Sequence, residues 1–127
     1  MKQSTDISVV VPVKNEAGNI EGLIQEIDYS LKKFNYEIIY INDGSKDTTG
    51  KELKLILKNN KRLRIISHEE SQGQSAALRS GVIASKSPII ATLDGDGQND
   101  PSDLPCMIKL FRNNTNKFLF VGVVRVN

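Results

Sequence analysis

The 127 residues include one cysteine, one histidine and no tryptophan. Cys106 alone forms no internal disulfide, and a single His beside a single Cys completes no zinc cluster, so a reducing compartment is expected. Long apolar runs are also missing. The two longest, residues 7–13 and 118–124, fall far short of the roughly 20 residues that cross a bilayer. The opening Met-Lys-Gln-Ser-Thr-Asp lacks the apolar stretch and the cleavage site of a secretory signal. A cytoplasmic location is therefore expected. No charge of one sign dominates: 17 Lys+Arg against 15 Asp+Glu leave a net +2. That is too little and too dispersed for a nucleic-acid face. The one basic cluster, Lys58, Lys61, Arg62 and Arg64, reads as a solvated helix end.

What is present is an ordinary globular composition, 39% hydrophobic and 25% charged. A chain of this length buries roughly two thirds of its unfolded surface and holds a core without staples. No internal repeat or linker interrupts it, so one domain is expected over 1–127. Apolar, β-branched runs alternate with amphipathic segments. Ile7 to Val13 reads as a strand covered on both faces. Ile20, Leu23, Ile24, Ile27, Leu31 and Phe34 have helical spacing, predicting a helix over 19–34, with Glu21 and Glu26 ahead of Lys32 and Lys33 to complement its dipole. Strands are predicted at 36–41, 63–67 and 88–93, and a last one within 117–124. Helices are predicted at 48–58, capped by Asp47, at 74–85, and at 102–111. Ala76, Ala77, Gly81 and Ala84 give the 74–85 helix a small-residue face suited to lying close to a sheet. Cys106 is expected in the core.

Repeated βα units imply a doubly wound, mostly parallel α/β sheet with helices on both faces. Ligands in such sheets sit beyond the carboxyl ends of the strands, where strand order reverses. Those ends are residues 13–16, 42–47, 67–72 and 94–100. Asp94-Gly95-Asp96-Gly97-Gln98 is the sharpest of them. Two carboxylates one residue apart, with Gln98 beside them, can offer oxygens to a hard cation such as Mg²⁺ or Mn²⁺ that fills its shell with substrate phosphates. The alternative is a turn that satisfies only its own backbone. Asp43 in Asn42-Asp43-Gly44-Ser45 can accept from a base N–H or serve as a turn residue, and the residues leave both readings open. An EF-hand fails at Asn99 and Pro105, and neither a Walker A loop nor a Rossmann glycine fingerprint is present. With no Gly-x-Ser-x-Gly elbow, His68 reads as a partly exposed strand-end histidine.

Four segments occur in order: Val10-Val11-Pro12-Val13-Lys14-Asn15-Glu16, Asn42-Asp43-Gly44-Ser45-Lys46-Asp47-Thr48, Gln72-Gly73-Gln74-Ser75-Ala76-Ala77-Leu78-Arg79-Ser80-Gly81, and Leu93-Asp94-Gly95-Asp96-Gly97-Gln98-Asn99-Asp100-Pro101. Together they resemble family 2 glycosyltransferases of the GT-A fold, in the branch of dolichol-phosphate mannosyltransferases and polyprenyl-phosphate glycosyltransferases. The resemblance implies metal-dependent, inverting transfer of a mannose- or glucose-type sugar from a GDP- or UDP-sugar to a polyprenyl or dolichyl phosphate. By the same resemblance Pro12, Asn15, Glu16, Asp43, Gln72, Gly73 and Asp94 contact the nucleotide, and Arg79 orders the adjoining loop. Asp94 and Asp96 act as the catalytic Asp-x-Asp pair, holding Mg²⁺ or Mn²⁺ with Gln98.

Two departures stand out. Asn42 occupies a position where the family often has an acid, and glycines at 95 and 97 replace bulkier residues. The family's catalytic domains continue into acceptor-binding and membrane-associated elements, so 1–127 is expected to be the donor half, placed at the cytoplasmic face of the membrane in a longer protein. Two other readings compete: a non-catalytic nucleotide-binding remnant, and a haloacid dehalogenase-type phosphatase using Asp94 as nucleophile. An unpaired last strand, 118–124, suggests homo-oligomers.

Overall fold

The computed structural model describes residues 5–96, 100–113 and 121–122. Strands β1 (Ile7–Val13), β2 (Tyr36–Asp43), β3 (Leu63–His68), β4 (Ile89–Thr92) and β5 (Val121–Gly122) alternate with helices α1 (Ile20–Ser30), α2 (Thr49–Leu57), α3 (Gln74–Ala84) and α4 (Leu104–Asn113), the last preceded by a 3-10 turn at Pro101–Asp103. The strands form one sheet in the order β3-β2-β1-β4-β5. Every pairing is parallel. The β-branched runs explain this burial: all of β2 and all of β1 except Pro12 are buried, as strands covered on both faces must be.

The two faces differ. On one, Val9, Val11, Ile38 and Tyr40 pack with Ile20, Ile24 and Ile27 of α1, Leu53 of α2 and Ile108 of α4. On the other, Val10, Ile39 and Ile41 meet Ala77 of α3. A Cβ at Gly81 would collide with Val10 and Ile41, so the small-residue face of α3 lets that helix lie against the sheet.

Several expectations need correction. Helix α1 stops at Ser30, whereas the 19–34 periodicity runs on. Leu31 closes the helix, and the Phe34 N–H donates to Leu31 O in a short turn that still buries Leu31 and packs Phe34 on the core. Lys32 and Lys33 thus lie past the helix end, and Lys32 sits 4.1 Å from the Tyr29 ring centroid. Cys106 is exposed and not a core residue, because Leu104 and Ile108 take the buried stripe of α4. The basic cluster is only in part a solvated helix end: Arg64 pairs with buried Glu37 at 2.8 Å, and Arg62 stacks 4.4 Å from the Tyr36 ring centroid. The predicted last strand lies outside the described residues except at Val121–Gly122, which pair with Ala91 and Thr92 of β4.

Candidate functional site

Strand order reverses between β1 and β4, since β1 pairs with β2 on one side and with β4 on the other. A cavity of about 370 Å³ opens at the carboxyl ends of these strands. Pro12, Glu16, Asp43, Gly73, Asp94 and Asp96 from the predicted set all line it. Gly95 of the Asp-x-Asp segment lines it too, as do Lys14, Ser71 and Gln74, which were not predicted as site residues. A crevice at a topological switch point is where parallel α/β sheets bind ligands.

The loop after β1 owes its shape to the loop after β2. Asn15 has φ +53, a left-handed conformation that Asn tolerates better than most residues. Its N–H donates to Ser45 Oγ at 2.9 Å, and its Oδ1 accepts from the Lys46 N–H at 2.8 Å. The Glu16 N–H donates to Thr49 Oγ1, the Ala17 N–H to Asp47 Oδ2, and the Gly18 N–H to Glu52 Oε1. Asp47 also caps α2, although Thr48 is the residue next to the helix: its Oδ1 accepts the Thr49 N–H at 2.9 Å. Bonds from the Thr49 hydroxyl and N–H hold the Asp47 carboxyl below the usual range. Asn15 therefore flanks the cavity as a support for its rim.

Asp43 ends β2 and is 4% exposed. Its Oδ1 accepts from His68 Nδ1 at 2.8 Å and from the Gln72 N–H at 2.8 Å. Its Oδ2 accepts from Ser71 Oγ at 3.0 Å and from the Gly73 N–H at 3.0 Å. Burial works against the charge, and these donors outweigh it, lowering the carboxyl to about 2. His68 ends β3 as the partly exposed histidine expected from the sequence, but it is tied into a network that the sequence did not reveal. Its side chain is 10% exposed and bridges Asp43 to Ser80 of α3, with Nε2 2.9 Å from Ser80 Oγ. The signal that reveals this is the register, which sets His68 directly beside Asp43. Gln72 is exposed and meets the site through its backbone. Arg79 is exposed on α3 and makes no hydrogen bond to the 67–72 loop among the described residues; Asp43 orders that loop instead.

Asp94 and Asp96 follow β4 and are exposed to the cavity, and Asp94 Oδ1 accepts from Gln74 Nε2 at 3.1 Å. Gly95 between them is buried, and a Cβ there would run into Val13 Cγ1. The glycine thus presses the Asp-x-Asp backbone onto the end of β1. Gln98 lies outside the described residues. Among the described residues no group of three or more His, Cys, Asp or Glu side chains forms a metal cluster. Two carboxylates facing an open cavity suit a cation of the Mg²⁺ type, which takes one or two carboxylates and leaves its other positions to water and phosphate. Among the same residues no helix is long and apolar enough to cross a membrane.

The fold has solved counterparts. The chain superposes with TM-score 0.75 and 22% identity on a mannosyltransferase of Pyrobaculum calidifontis in complex with GDP-Man and Mn2+, covering 86% of this chain and 33% of that one. It superposes with TM-score 0.64 and 27% identity on glucosyl-3-phosphoglycerate synthase of Mycobacterium tuberculosis in complex with Mn2+, UDP and glucosyl-3-phosphoglycerate, covering 83% and 39%. The sheet is that of GT-A glycosyltransferases.

Curated relatives point the same way. The chain is 35% identical over 109 residues to dodecaprenyl-phosphate galacturonate synthase of Rhizobium johnstonii, covering 84% of this chain and 32% of that protein. It is 29% identical over 110 residues to dolichol-phosphate mannosyltransferase of Pyrococcus furiosus, covering 87% and 31%. The chain spans about a third of the length of these relatives. Residues 8–127 match Glycosyl transferase family 2, and the chain belongs to that family.

Proposed function

We propose that this chain forms the donor-binding part of a glycosyltransferase that moves a sugar from a nucleoside diphosphate to a polyprenyl or dolichyl phosphate, with inversion at the anomeric carbon. The observation that carries the reading is the switch-point cavity, which sets Asp94 and Asp96 across from Asp43 and Gly73. Its volume of about 370 Å³ lies within the range of small-molecule sites. The polyprenyl acceptor rests on the names of the relatives in Rhizobium johnstonii and Pyrococcus furiosus. Such an acceptor places the protein at the cytoplasmic face of a membrane.

Pro12, Glu16 and Gly73 wall the nucleotide, while Asn15 and Gln72 hold the flanking loops. Asp94 and Asp96, with Gln98, would hold a Mg²⁺ or Mn²⁺ ion that supplies positive charge to the diphosphate. In the transfer, an acceptor phosphate oxygen forms a bond to the anomeric carbon as the carbon–oxygen bond to the diphosphate breaks. The electron pair leaves with the diphosphate. A phosphate acceptor is already ionised at neutral pH, so no strong general base is needed.

The test is a thermal-shift titration with GDP, UDP and their sugar conjugates, each with and without Mn²⁺ or Mg²⁺. A ligand at 100 times its dissociation constant stabilises by about 2.7 kcal/mol, a shift of several degrees for a small domain. A cation-dependent shift with one base supports the reading and names the donor class. No shift with any nucleotide overturns it. Release of nucleoside diphosphate when a polyprenyl phosphate is added separates an enzyme from a binding remnant.

A further inference from the structure

We infer that His68 is a positioning residue for the donor pocket, holding the Asp43 carboxylate so that it clamps the Ser71–Gly73 loop as one wall of the cavity. The inference rests on the nucleotide-donor reading above and adds a residue to it.

An ionised carboxylate offers about four acceptor positions. Asp43 uses two on each oxygen: His68 and the Gln72 N–H on one, the Ser71 hydroxyl and the Gly73 N–H on the other. Three of these four bonds tie the carboxylate to the loop that walls the cavity. His68 is the one side chain in this set that reaches beyond it. With Nδ1–H donating to Asp43, Nε2 is left to accept from the Ser80 hydroxyl, and the network itself selects that tautomer. One imidazole thus joins the ends of β2 and β3 to α3.

The clamp continues toward the carboxylate pair. Gly73, with φ +96, is the residue at the start of α3, and the next residue, Gln74, donates to Asp94 Oδ1. Releasing Asp43 from His68 leaves a buried charge short of a donor and loosens the loop that carries Gly73 and Gln74.

The experiment compares His68→Asn, His68→Gln and His68→Leu in the protein. Asn places an amide N–H near the position of Nδ1, Gln places one near Nε2, and Leu supplies neither. Two readouts are taken: affinity for GDP or UDP with Mn²⁺, and hydrogen exchange of the Gln72 and Gly73 amides without ligand. Leu and Gln are expected to weaken the nucleotide about tenfold and to speed exchange at Gln72 and Gly73, while amides of β1 keep their protection. Asn is expected to restore both. A purely structural role would slow or speed exchange across the sheet and would show no Asn rescue.

Parent-like affinity and parent-like exchange in His68→Leu and His68→Gln overturn the inference. If the parent itself binds no nucleotide, the donor reading fails, and exchange at Gln72 and Gly73 still decides the clamp. If His68→Leu does not fold, the contrast between Gln and Asn decides it.

Discussion

Gly44 lies beneath the Ser71 amide: at φ +67 its backbone admits the β3–α3 loop, and a Cβ there would strike the Ser71 nitrogen. Gly44→Ala therefore meets both a left-handed backbone penalty of about 1 kcal/mol and a collision with main chain, which cannot rotate away. The expected outcome is a loss of about 2 kcal/mol or more in urea unfolding, with weaker nucleotide binding. Parent-like stability would show that the loop does not press on Gly44.

Gly95 makes a similar contact on the other wall. Gly95→Ala drives a methyl into Val13 Cγ1, at a cost of about 1–3 kcal/mol typical of overpacking. The strain falls between Asp94 and Asp96, so cation-dependent nucleotide binding is expected to weaken more than binding without cation. Isothermal titration with and without Mn²⁺ measures the difference.

Asp96→Asn keeps the shape of the side chain and removes its charge. The expected result is loss of the Mn²⁺-dependent part of the nucleotide thermal shift, with the melting temperature of the free protein changed little because Asp96 is exposed. A variant that binds cation and nucleotide like the parent would remove Asp96 from the site.

Acid stability follows from Asp43. Its folded carboxyl, at about 2, lies below the ordinary value of 3.8, so the charged form stabilises the fold above the ordinary value. That contribution fades as pH falls through about 4 toward 2. Asp43→Asn should be less stable than the parent at pH 7, and the gap should narrow toward pH 2. Urea midpoints across that range test this, and a gap independent of pH would contradict it.

Arg64 offers a control far from the site. It pairs with Glu37, which also accepts from Ser8 Oγ and the Lys86 N–H. Arg64→Met removes one donor from a buried carboxylate. The arginine is 37% exposed, so a loss of about 1–2 kcal/mol is expected, below that of a fully buried pair. Nucleotide affinity measured below the melting transition should not change.

The alternation of strands and helices was legible because β1 and β2 are almost unbroken apolar runs and α1 has a clean apolar stripe. The limits were equally physical. Leu31 and Phe34 keep the helical period past the helix end because a turn packs them on the same core. Cys106 sits among apolar neighbours, yet the helix rotates it outward. At the site, Asp94 and Asp96 were legible from their place after a strand. His68 was not, since its importance comes from pairing with Asp43, 25 residues earlier in the chain. Nor were Lys14, Ser71 and Gln74, whose place on the cavity depends on how two loops approach each other.

The position of β1 between β2 and β4 also sets an order of assembly. Ile7 meets Tyr36 on one side but waits for Ile89 on the other. Closing the longer loop costs more chain entropy, so the β1–β4 pairing is the harder one to form. A nascent chain that has emerged only through α3 already owns Asp43, His68 and the loop between Ser71 and Gly73, yet Asp94 and Asp96 have still to be added. Such a chain presents the Asp43 wall of the pocket without its Asp94 and Asp96 wall, and β1 shows a bare edge until β4 arrives.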